Sequence, residues 1–238
     1  MKNAVPLIIT AMPQEAQPFI NSAKSVEESL NRFCPLYKCS TPNLDFSLAV
    51  CGIGLVNAAS TTTFLAESLN PSMIISAGTC GGIGSEVQVG DVIIGNSYRY
   101  YQVDVTPLGL KPGQVPGFPA AFTPNNELLR LAESAANNLD AEDSPTVKLG
   151  EIISGDEFVS GERAQELLQT FTGAVAVDME STAIAHVADR MRVPFLSVRA
   201  VSDLCGESAD EDFKASLGNI PARSTQIVTE ILSNLPVN

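Results

Sequence analysis

The sequence between residues 175 and 204 constrains the fold most, because two kinds of apolar pattern alternate within it. Residues 175–177 and 194–201 are short apolar runs of the length expected for buried strands, and the second follows a proline break. Between them, apolar residues recur at helical spacing over 184–191. A strand, a helix and a second strand in this order predict a βαβ unit.

Carboxylates stand where the predicted strands of this unit end. Asp178 and Glu180 follow the first strand and Asp203 follows the second, while Glu15 comes shortly after another predicted strand at 5–10. Because ligands bind at the carboxyl ends of the strands in open α/β sheets, we expect these side chains to meet at one rim. Each also fits a purely structural role, Asp178 as a helix N-cap, Glu180 in a first helical turn and Asp203 in a loop.

Several carboxylates at one rim, without a recognisable metal site, favour a reaction driven by carboxylates. Hydrolysis of a glycosidic bond is the leading class, because one acid can protonate the leaving group while another carboxylate activates water. The single histidine, His186, falls inside the predicted helix and is poorly placed for a Ser-His-Asp or Cys-His arrangement. We expect it to be a partly buried helix residue near an interface.

The same alternation continues through the chain, without a linker, and predicts one domain spanning residues 1–238. We count seven or eight predicted strands interleaved with five or six helices, which indicates a three-layer α/β domain with a central mixed, mostly parallel twisted sheet. Residues 25–43 are weakly patterned and are predicted as a helix and an edge strand. The other strands are predicted at 5–10, 44–50, 72–76, 91–96, 147–153, 175–177 and 194–201, and the helices at 14–23, 57–69, 125–137, 164–170, within 178–191 and at 213–232.

Glycines cluster in two predicted strand-to-helix or strand-to-strand connections. Residues 51–54 read Cys-Gly-Ile-Gly, but Asn57 stands where a dinucleotide fingerprint needs its third glycine, so no Rossmann cofactor site is predicted. Residues 77–84 are predicted as a glycine-rich loop that either lets a ligand approach the backbone or simply forms tight turns. The long loop at 101–123, rich in proline and apolar side chains, is predicted to be functional or interfacial.

The charge and composition of the chain argue against several classes of binding partner. Lysine and arginine total 14 against 27 acidic residues, a net charge of −13 with no basic cluster, which argues against nucleic acid and anionic membranes as partners. No apolar run reaches membrane-spanning length, and the N-terminus does not resemble a signal peptide. Five cysteines without a CxxC pair and a single histidine predict reduced thiols, no metal, no cofactor and a cytoplasmic protein.

Five segments together resemble a known group of enzymes. They are Ile-Thr-Ala-Met-Pro-Gln-Glu at 9–15, Ser-Ala-Gly-Thr-Cys-Gly-Gly at 76–82, Ser-Gly-Asp-Glu-Phe at 154–158, Val-Asp-Met-Glu at 177–180 and Arg-Ala-Val-Ser-Asp at 199–203. In this order they resemble the motifs of the nucleoside phosphorylase and nucleosidase superfamily, and most closely the nucleosidases for 5'-methylthioadenosine and S-adenosylhomocysteine. The resemblance runs from about residue 5 to residue 232. It implies hydrolysis of an N-glycosidic bond to adenine and a 5-thioribose product.

The resemblance implies roles for the reacting groups. Asp203 would be the general acid that protonates N7 of adenine, with Ser202 orienting it. Protonation neutralises a poor leaving group, and it requires a desolvated carboxyl group with a raised pKa. Glu15 would hold and activate the attacking water, and Arg199 and Thr79 would fix the position of that water.

The resemblance also implies the binding residues. Glu180 would accept hydrogen bonds from the ribose hydroxyls and Met179 would pack against the sugar. Phe158 would stack on the purine and Val159 would offer backbone groups to its edge. The alkylthio pocket would be lined by Met12 and Ile53 together with Leu108, Leu110 and Pro116 of a partner subunit, which implies a homodimer with shared sites.

The sequence departs from the family pattern at three places. Asp178 stands where the motif usually has glutamate, at a position that we interpret as structural. Aliphatic Leu108 and Leu110 replace residues that are often aromatic, and the acidic segment after Asp203 is predicted to lack the aromatic residue that often closes the site. The acidic run at 207–212 is hypothesised to repel the carboxylate of S-adenosylhomocysteine.

Three alternatives remain at this point. A purine nucleoside phosphorylase would need cationic anchors for phosphate, but the first arginine is Arg32, and Glu15 would repel phosphate at the nucleophile position. A hydrolase for futalosine or its 6-amino analogue has overlapping motifs. A non-catalytic nucleoside-binding protein would have no use for both an acid and a water-activating carboxylate.

Overall fold

The computed structural model describes residues 4–29, 31, 33–42, 44–138 and 144–235. The strands are β1 (Leu7–Thr10), β2 (Ser25–Ser29), β3 (Leu36–Ser40), β4 (Asp45–Val50), β5 (Ile74–Gly82), β6 (Val92–Tyr100), β7 (Val147–Ser154), β8 (Ala174–Asp178) and β9 (Phe195–Asp203). The helices are α1 (Pro13–Ser22), α2 (Leu55–Leu69), α3 (Asn126–Asn138), α4 (Glu162–Thr170), α5 (Ser181–Met191), α6 (Ala209–Ser216) and α7 (Pro221–Ser233), with a 3-10 turn at Thr106–Leu108.

The strands form one mixed sheet that closes on itself in part. Its order is β2-β3-β4-β1-β5-β8-β7-β6-β9, and β9 also pairs with β5. Strands β5 to β9 therefore form a closed barrel. The sheet continues beyond β5 through β1, β4 and β3 and ends in an open edge at β2. The prediction of a mixed, mostly parallel sheet flanked by helices is confirmed, since five of the nine pairings between the described strands are parallel. The expectation of an open sheet is wrong, because the pairing of β5 with β9 closes it.

The predicted βαβ unit is also wrong in one respect, the direction of its strands. β8 pairs antiparallel with β5 while β9 pairs parallel with β5, so β8 and β9 run in opposite directions. Their carboxyl ends meet nevertheless, because β5 and β8 overlap only at their tips. Gly81 of β5 pairs with Val177 of β8 and, across a register shift, with Asp203 of β9. Barrel closure thus brings the acids together, in place of a common parallel rim.

Three segments differ from the sequence-based expectation. The predicted glycine-rich loop is largely strand, since β5 continues through Gly82. Residues 25–43 contain the antiparallel pair β2–β3, with no helix among their described residues, so the edge strand is confirmed and the helix is not. The predicted closing helix at 213–232 is two helices, α6 and α7, and Pro221 begins the second at a position where its missing N–H costs nothing.

Helices cover both faces of the sheet, which gives the predicted three layers. In β1, Leu7 and Ile9 belong to the apolar cluster that includes Leu65 of α2, whereas Ile8 between them belongs to the cluster that includes Ile227 of α7. This alternation follows from the two-residue period of a strand. Strands buried on both faces read as near-continuous apolar runs, as β1 does with Leu-Ile-Ile-Thr. No helix within the described part of the chain is both long and apolar enough to cross a membrane.

Candidate active site

A cleft lies where the carboxyl ends of β1, β5, β8 and β9 meet. Ten of the residues that the sequence nominated line it. They are Met12, Glu15, Ile53, Thr79, Phe158, Val159, Met179, Glu180, Ser202 and Asp203. Sequence reasoning thus selected residues from distant parts of the chain that the fold brings into one cavity.

Four nominated residues do not line the cleft of a single chain. Arg199 is fully buried behind it, and Leu108, Leu110 and Pro116 belong to the long loop after β6. Leu108 is 81% exposed. None of the three loop residues lines the cleft of the described chain.

Glu15 is held at the start of α1 by four hydrogen bonds. The N–H groups of Ala11 and Met12 donate to Oε2 at 2.9 and 3.1 Å, while the N–H and hydroxyl of Thr79 donate to Oε1 at 2.8 and 2.9 Å. The first two bonds form a capping arrangement at the helix N-terminus. Gly78 allows this packing, since a Cβ there would lie 2.5 Å from Oε1 of Glu15. The carboxylate is thus fixed at the wall of the cleft.

Arg199 organises the carboxylates beneath the cleft. Its guanidinium lies 3.0 Å from Asp178 and 3.5 Å from Glu180, and it donates to the hydroxyl of Ser76 and the carbonyl of Thr79. Burial alone would lower the pKa of Arg199, but the neighbouring carboxylates raise it above its ordinary value. With Glu15 nearby, three carboxylates surround one guanidinium, so the site carries surplus negative charge when all are ionised.

Asp178 serves as an internal anchor. One oxygen accepts a hydrogen bond from the hydroxyl of Ser154 at 2.5 Å, and the other pairs with Arg199 at 3.0 Å. The carboxylate also accepts from the N–H and hydroxyl of Ser181 in the first turn of α5. Glu180, and not Asp178, is the N-cap residue of α5, so the expectation of Asp178 as the N-cap and of Glu180 in the first helical turn is wrong. Asp178 nevertheless accepts hydrogen bonds from the first N–H groups of the helix and pairs with Arg199, which gives its predicted structural role a geometric basis.

Glu180 faces the cleft from the start of α5 and is 4% exposed. The N–H of Gly54 donates to its Oε1 at 3.0 Å, and Arg199 lies beside Oε2. Burial raises the pKa of Glu180 to about 8, because desolvation and the adjacent Asp178 and Glu15 outweigh the attraction of Arg199. A cation that develops in the cleft would favour the charged form of this carboxyl group.

Asp203 ends β9 and is 2% exposed. Its Oδ2 accepts a hydrogen bond from the hydroxyl of Ser202 at 2.8 Å, and its Oδ1 accepts one from the N–H of Cys205 at 3.0 Å. Burial raises the pKa of the Asp203 carboxyl above its ordinary value, in spite of these hydrogen bonds, which lower it. A carboxyl group that keeps its proton more strongly than usual is suited to act as a general acid.

Sequence reasoning missed Phe213, and the expectation that no aromatic residue closes the site is wrong. Phe213 of α6 lines the cleft, and its ring meets that of Phe158 edge to face at 5.8 Å. The acidic residues around it concealed a helical pattern, since Ala209, Phe213 and Ser216 fall on one face of α6 and the outer two are buried. Cys80 and Cys205 also line the cleft, although neither had been nominated.

His186 lies away from the cleft, as expected for a helix residue. Its Nδ1 is 3.1 Å from the hydroxyl of Tyr100, and its ring stacks on Phe122 with Phe118 at its edge. Within the described ranges, no group of three or more histidine, cysteine or acidic residues is arranged to hold a metal ion.

The family model of the phosphorylase superfamily matches residues 7–233 of this chain. A 5'-methylthioadenosine/S-adenosylhomocysteine nucleosidase from Haemophilus ducreyi is 38% identical over 230 residues, which cover 95% of this chain and 97% of the relative. One from Staphylococcus haemolyticus is 35% identical over 229 residues, covering 96% and 99%. The chain therefore belongs to the family of 5'-methylthioadenosine/S-adenosylhomocysteine nucleosidases.

Solved structures agree at the level of the whole fold. The nucleosidase of the same type from Neisseria meningitidis, in complex with methylthio-immucillin-A, superposes with a TM-score of 0.92 at 34% identity, covering 97% of this chain and 99% of that one. The futalosine hydrolase of Helicobacter pylori superposes with a TM-score of 0.90 at 26% identity, covering 98% of each chain. The fold alone thus does not separate these two substrate classes.

Proposed function

We propose that this protein is a hydrolase that cleaves the N-glycosidic bond of 5'-methylthioadenosine, with S-adenosylhomocysteine as a second substrate. One observation carries the proposal: a single cleft holds two buried carboxyl groups in different environments. Asp203 has a raised pKa from burial, whereas Glu15 accepts four hydrogen bonds. Pairs of carboxyl groups whose environments differ in this way divide the roles of acid and base.

In the proposed reaction, Asp203 donates its proton to N7 of adenine, with Ser202 orienting the carboxyl group. The bond between C1' and N9 then breaks, its electrons pass to the base, and the sugar becomes cationic. Water held by Glu15 and Thr79 attacks C1' and transfers a proton to the carboxylate of Glu15, which leaves neutral adenine and the 5-thioribose product. Arg199 positions this water indirectly, through the carbonyl of Thr79. Neither a metal nor a cofactor takes part.

Substrate binding uses the remaining residues of the cleft. Glu180 accepts hydrogen bonds from the ribose hydroxyls and Met179 packs against the sugar. Phe158 stacks on the purine, and Phe213, whose ring meets that of Phe158 edge to face, lines the cleft beside it. The backbone of Val159 bonds to the edge of the purine. Met12 and Ile53 contact the alkylthio group, together with Leu108, Leu110 and Pro116 of a second copy.

The last contact makes a homodimer with shared sites part of the proposal. Residues 1–238 form a single nucleosidase domain, and the protein acts on a small nucleoside in the cytoplasm, without nucleic acid or membrane partners. The similarity to a futalosine hydrolase makes hydrolysis of futalosine or 6-amino-6-deoxyfutalosine the second candidate. A purine nucleoside phosphorylase is less favoured, since the carboxylate of Glu15 would repel phosphate.

Release of the base from a panel of nucleosides tests the proposal. Methylthioadenosine, S-adenosylhomocysteine, futalosine and its 6-amino analogue are incubated with the protein, with and without phosphate. Adenine released from methylthioadenosine at the same rate with and without phosphate supports the proposal. Release only with phosphate would indicate a phosphorylase, preference for futalosine would indicate the second candidate, and no release would indicate a binding protein.

A further inference from the structure

The first two N–H groups at the start of α2 hold carboxylates from two different parts of the cleft. The N–H of Gly54 donates to Glu180 at 3.0 Å, and the N–H of Leu55 donates to Oδ1 of Asp156 at 2.7 Å. The opening N–H groups of a helix have no partner within the helix, and Gly54 has no side chain to supply one. Residues more than a hundred positions away in the sequence therefore cap α2.

The backbone at Gly54 is shaped to admit Asp156. Gly54 has a φ of +104°, in the region that glycine favours, and a Cβ there would lie 2.9 Å from Oδ1 of Asp156. A side chain at residue 54 would thus both strain the backbone and displace the carboxylate. The contact between Asp156 and α2 therefore depends on both residues, on the carboxylate of Asp156 and on the missing side chain of Gly54.

Asp156 belongs to the segment that brings an aromatic ring to the cleft. It precedes Phe158 by two residues, yet Asp156 itself does not line the cavity. The backbone of this segment also bonds to the two residues that follow β6. The side chain of Gln102 accepts a hydrogen bond from the N–H of Asp156 at 2.8 Å, and the hydroxyl of Tyr101 donates one to the carbonyl of Glu157 at 3.1 Å. The carboxylate of Asp156 adds the attachment to α2.

We propose that Asp156 is a positioning residue. It fixes the spacing between the groups that hold the two ends of the scissile bond, the ribose and the purine. This inference rests on the proposed function, in which Glu180 holds the ribose and Phe158 holds the purine. Adjacent N–H groups of one helix fix Glu180 and the segment carrying Phe158 at a constant spacing. Small errors in the relative position of reacting groups are costly, because a displacement of 1 Å can lower a rate about a hundredfold.

The test compares Asp156→Ala with Asp156→Asn on methylthioadenosine. The alanine variant loses the acceptor for the N–H of Leu55, and we expect kcat to fall about ten- to a hundredfold, while the Kd of free adenine changes less than about threefold. The asparagine variant keeps an oxygen acceptor, so we expect it to retain at least about a third of the wild-type kcat. Glu162→Ala, which removes an exposed acid from the first turn of α4, is the matched control and should have wild-type kinetics.

Each outcome has a fixed meaning. A wild-type protein that releases no adenine would overturn the proposed function itself. If the wild type is active, an Asp156→Ala variant with kcat within twofold of wild type would overturn the positioning role. The positioning role is also overturned if Asp156→Asn is as impaired as Asp156→Ala. It is overturned as well if adenine affinity falls as much as kcat, because the variant would then have lost the purine site itself and not the spacing between ribose and purine.

Discussion

Asp203 and Glu15 face the same cleft, but different numbers of donors surround them. Glu15 accepts four hydrogen bonds, two of them from Thr79, whereas Asp203 accepts one on each oxygen, and both side chains are buried. Burial raises the pKa of Asp203 above its ordinary value in spite of its two hydrogen bonds. The proton that the proposed reaction needs is therefore expected on Asp203.

The pH dependence of activity follows from the raised pKa of Asp203. Because the acid must carry its proton, kcat/KM is expected to fall as pH rises through that raised value. Asp203→Asn should lower kcat by about a thousandfold. The residual rate should lack this fall at rising pH, the alkaline limb of the pH profile. The pKa of Glu180 is raised as well, so Glu180→Gln is the control and should keep the limb. Loss of the limb in Glu180→Gln would contradict the assignment to Asp203.

The same shift predicts the direction of a stability change. A carboxyl group whose folded-state pKa lies above its unfolded value stabilises the fold fully below the unfolded pKa, and this contribution is lost as pH rises through the folded pKa. The free energy of unfolding in urea should therefore decline over that window in the wild type, and decline less in Asp203→Asn. An equal decline in both proteins would show that other groups cause it.

Asp178 is expected to matter for stability. Its side chain is 1% exposed and pairs with the equally buried Arg199, so Asp178→Ala would leave a buried guanidinium with fewer partners. Breaking such a pair costs about 3–5 kcal/mol of unfolding free energy. Urea denaturation measures this loss, and Asp210→Asn, in the exposed pair with Lys214, should leave the midpoint unchanged. A loss below about 1 kcal/mol would contradict the anchoring role.

At the scale of elements, β5 links both proposed reacting groups. Gly78 leaves room for Glu15 and Arg199, and Gly81 leaves room for Cys205 beside Asp203. A sequence rich in glycine predicts turns, because glycine weakens a strand, and this is why the second half of β5 was missed. In this strand the glycines instead let side chains from other elements approach the backbone.

Gly78→Ala tests the role of β5. The new Cβ would lie 2.5 Å from Oε1 of Glu15 and 2.8 Å from Nη1 of Arg199, so both groups must move. We expect kcat to fall about a hundredfold, since the water held by Glu15 would be displaced by about 1 Å. Gly218→Ala, where a Cβ meets no atom within 4 Å, is the control for steady-state kinetics. Wild-type kcat in Gly78→Ala would place the reaction elsewhere.

The sequence predicted most elements and most of the proposed site, for identifiable reasons. Strands and helices with clear periodicity, such as β1, β4 and α2, were found within two or three residues of their observed ends. Strand direction and barrel closure were not, because side-chain alternation is the same in parallel and antiparallel strands. Phe213 was missed because its helix begins with three acidic residues, which read as a solvated segment.

At the scale of the whole molecule, the loop after β6 leaves one large apolar side chain exposed. Leu108 is 81% exposed, whereas Val115 and Phe118 of the same loop pack against the core. The cleft of one chain meanwhile receives no residue from that loop. Both features are accounted for if the loop of one copy completes the cleft of another.

Leu108→Asp tests this assembly. The substitution should lower dimer affinity in sedimentation experiments and raise KM for methylthioadenosine about tenfold, because a charge would enter an apolar contact. Val89→Asp, at another exposed apolar residue outside the loop, should change neither quantity. A wild-type protein that is monomeric at micromolar concentration and fully active would contradict the shared site.

The central claim, that this cleft uses water to break an N-glycosidic bond, is tested most directly by labelling the water. Methylthioadenosine is turned over in heavy-oxygen water with saturating phosphate, and the sugar product is examined by mass spectrometry. The account predicts free adenine and a 5-methylthioribose that carries one heavy oxygen at C1. A sugar phosphate without the label, or no cleavage of methylthioadenosine, would contradict it.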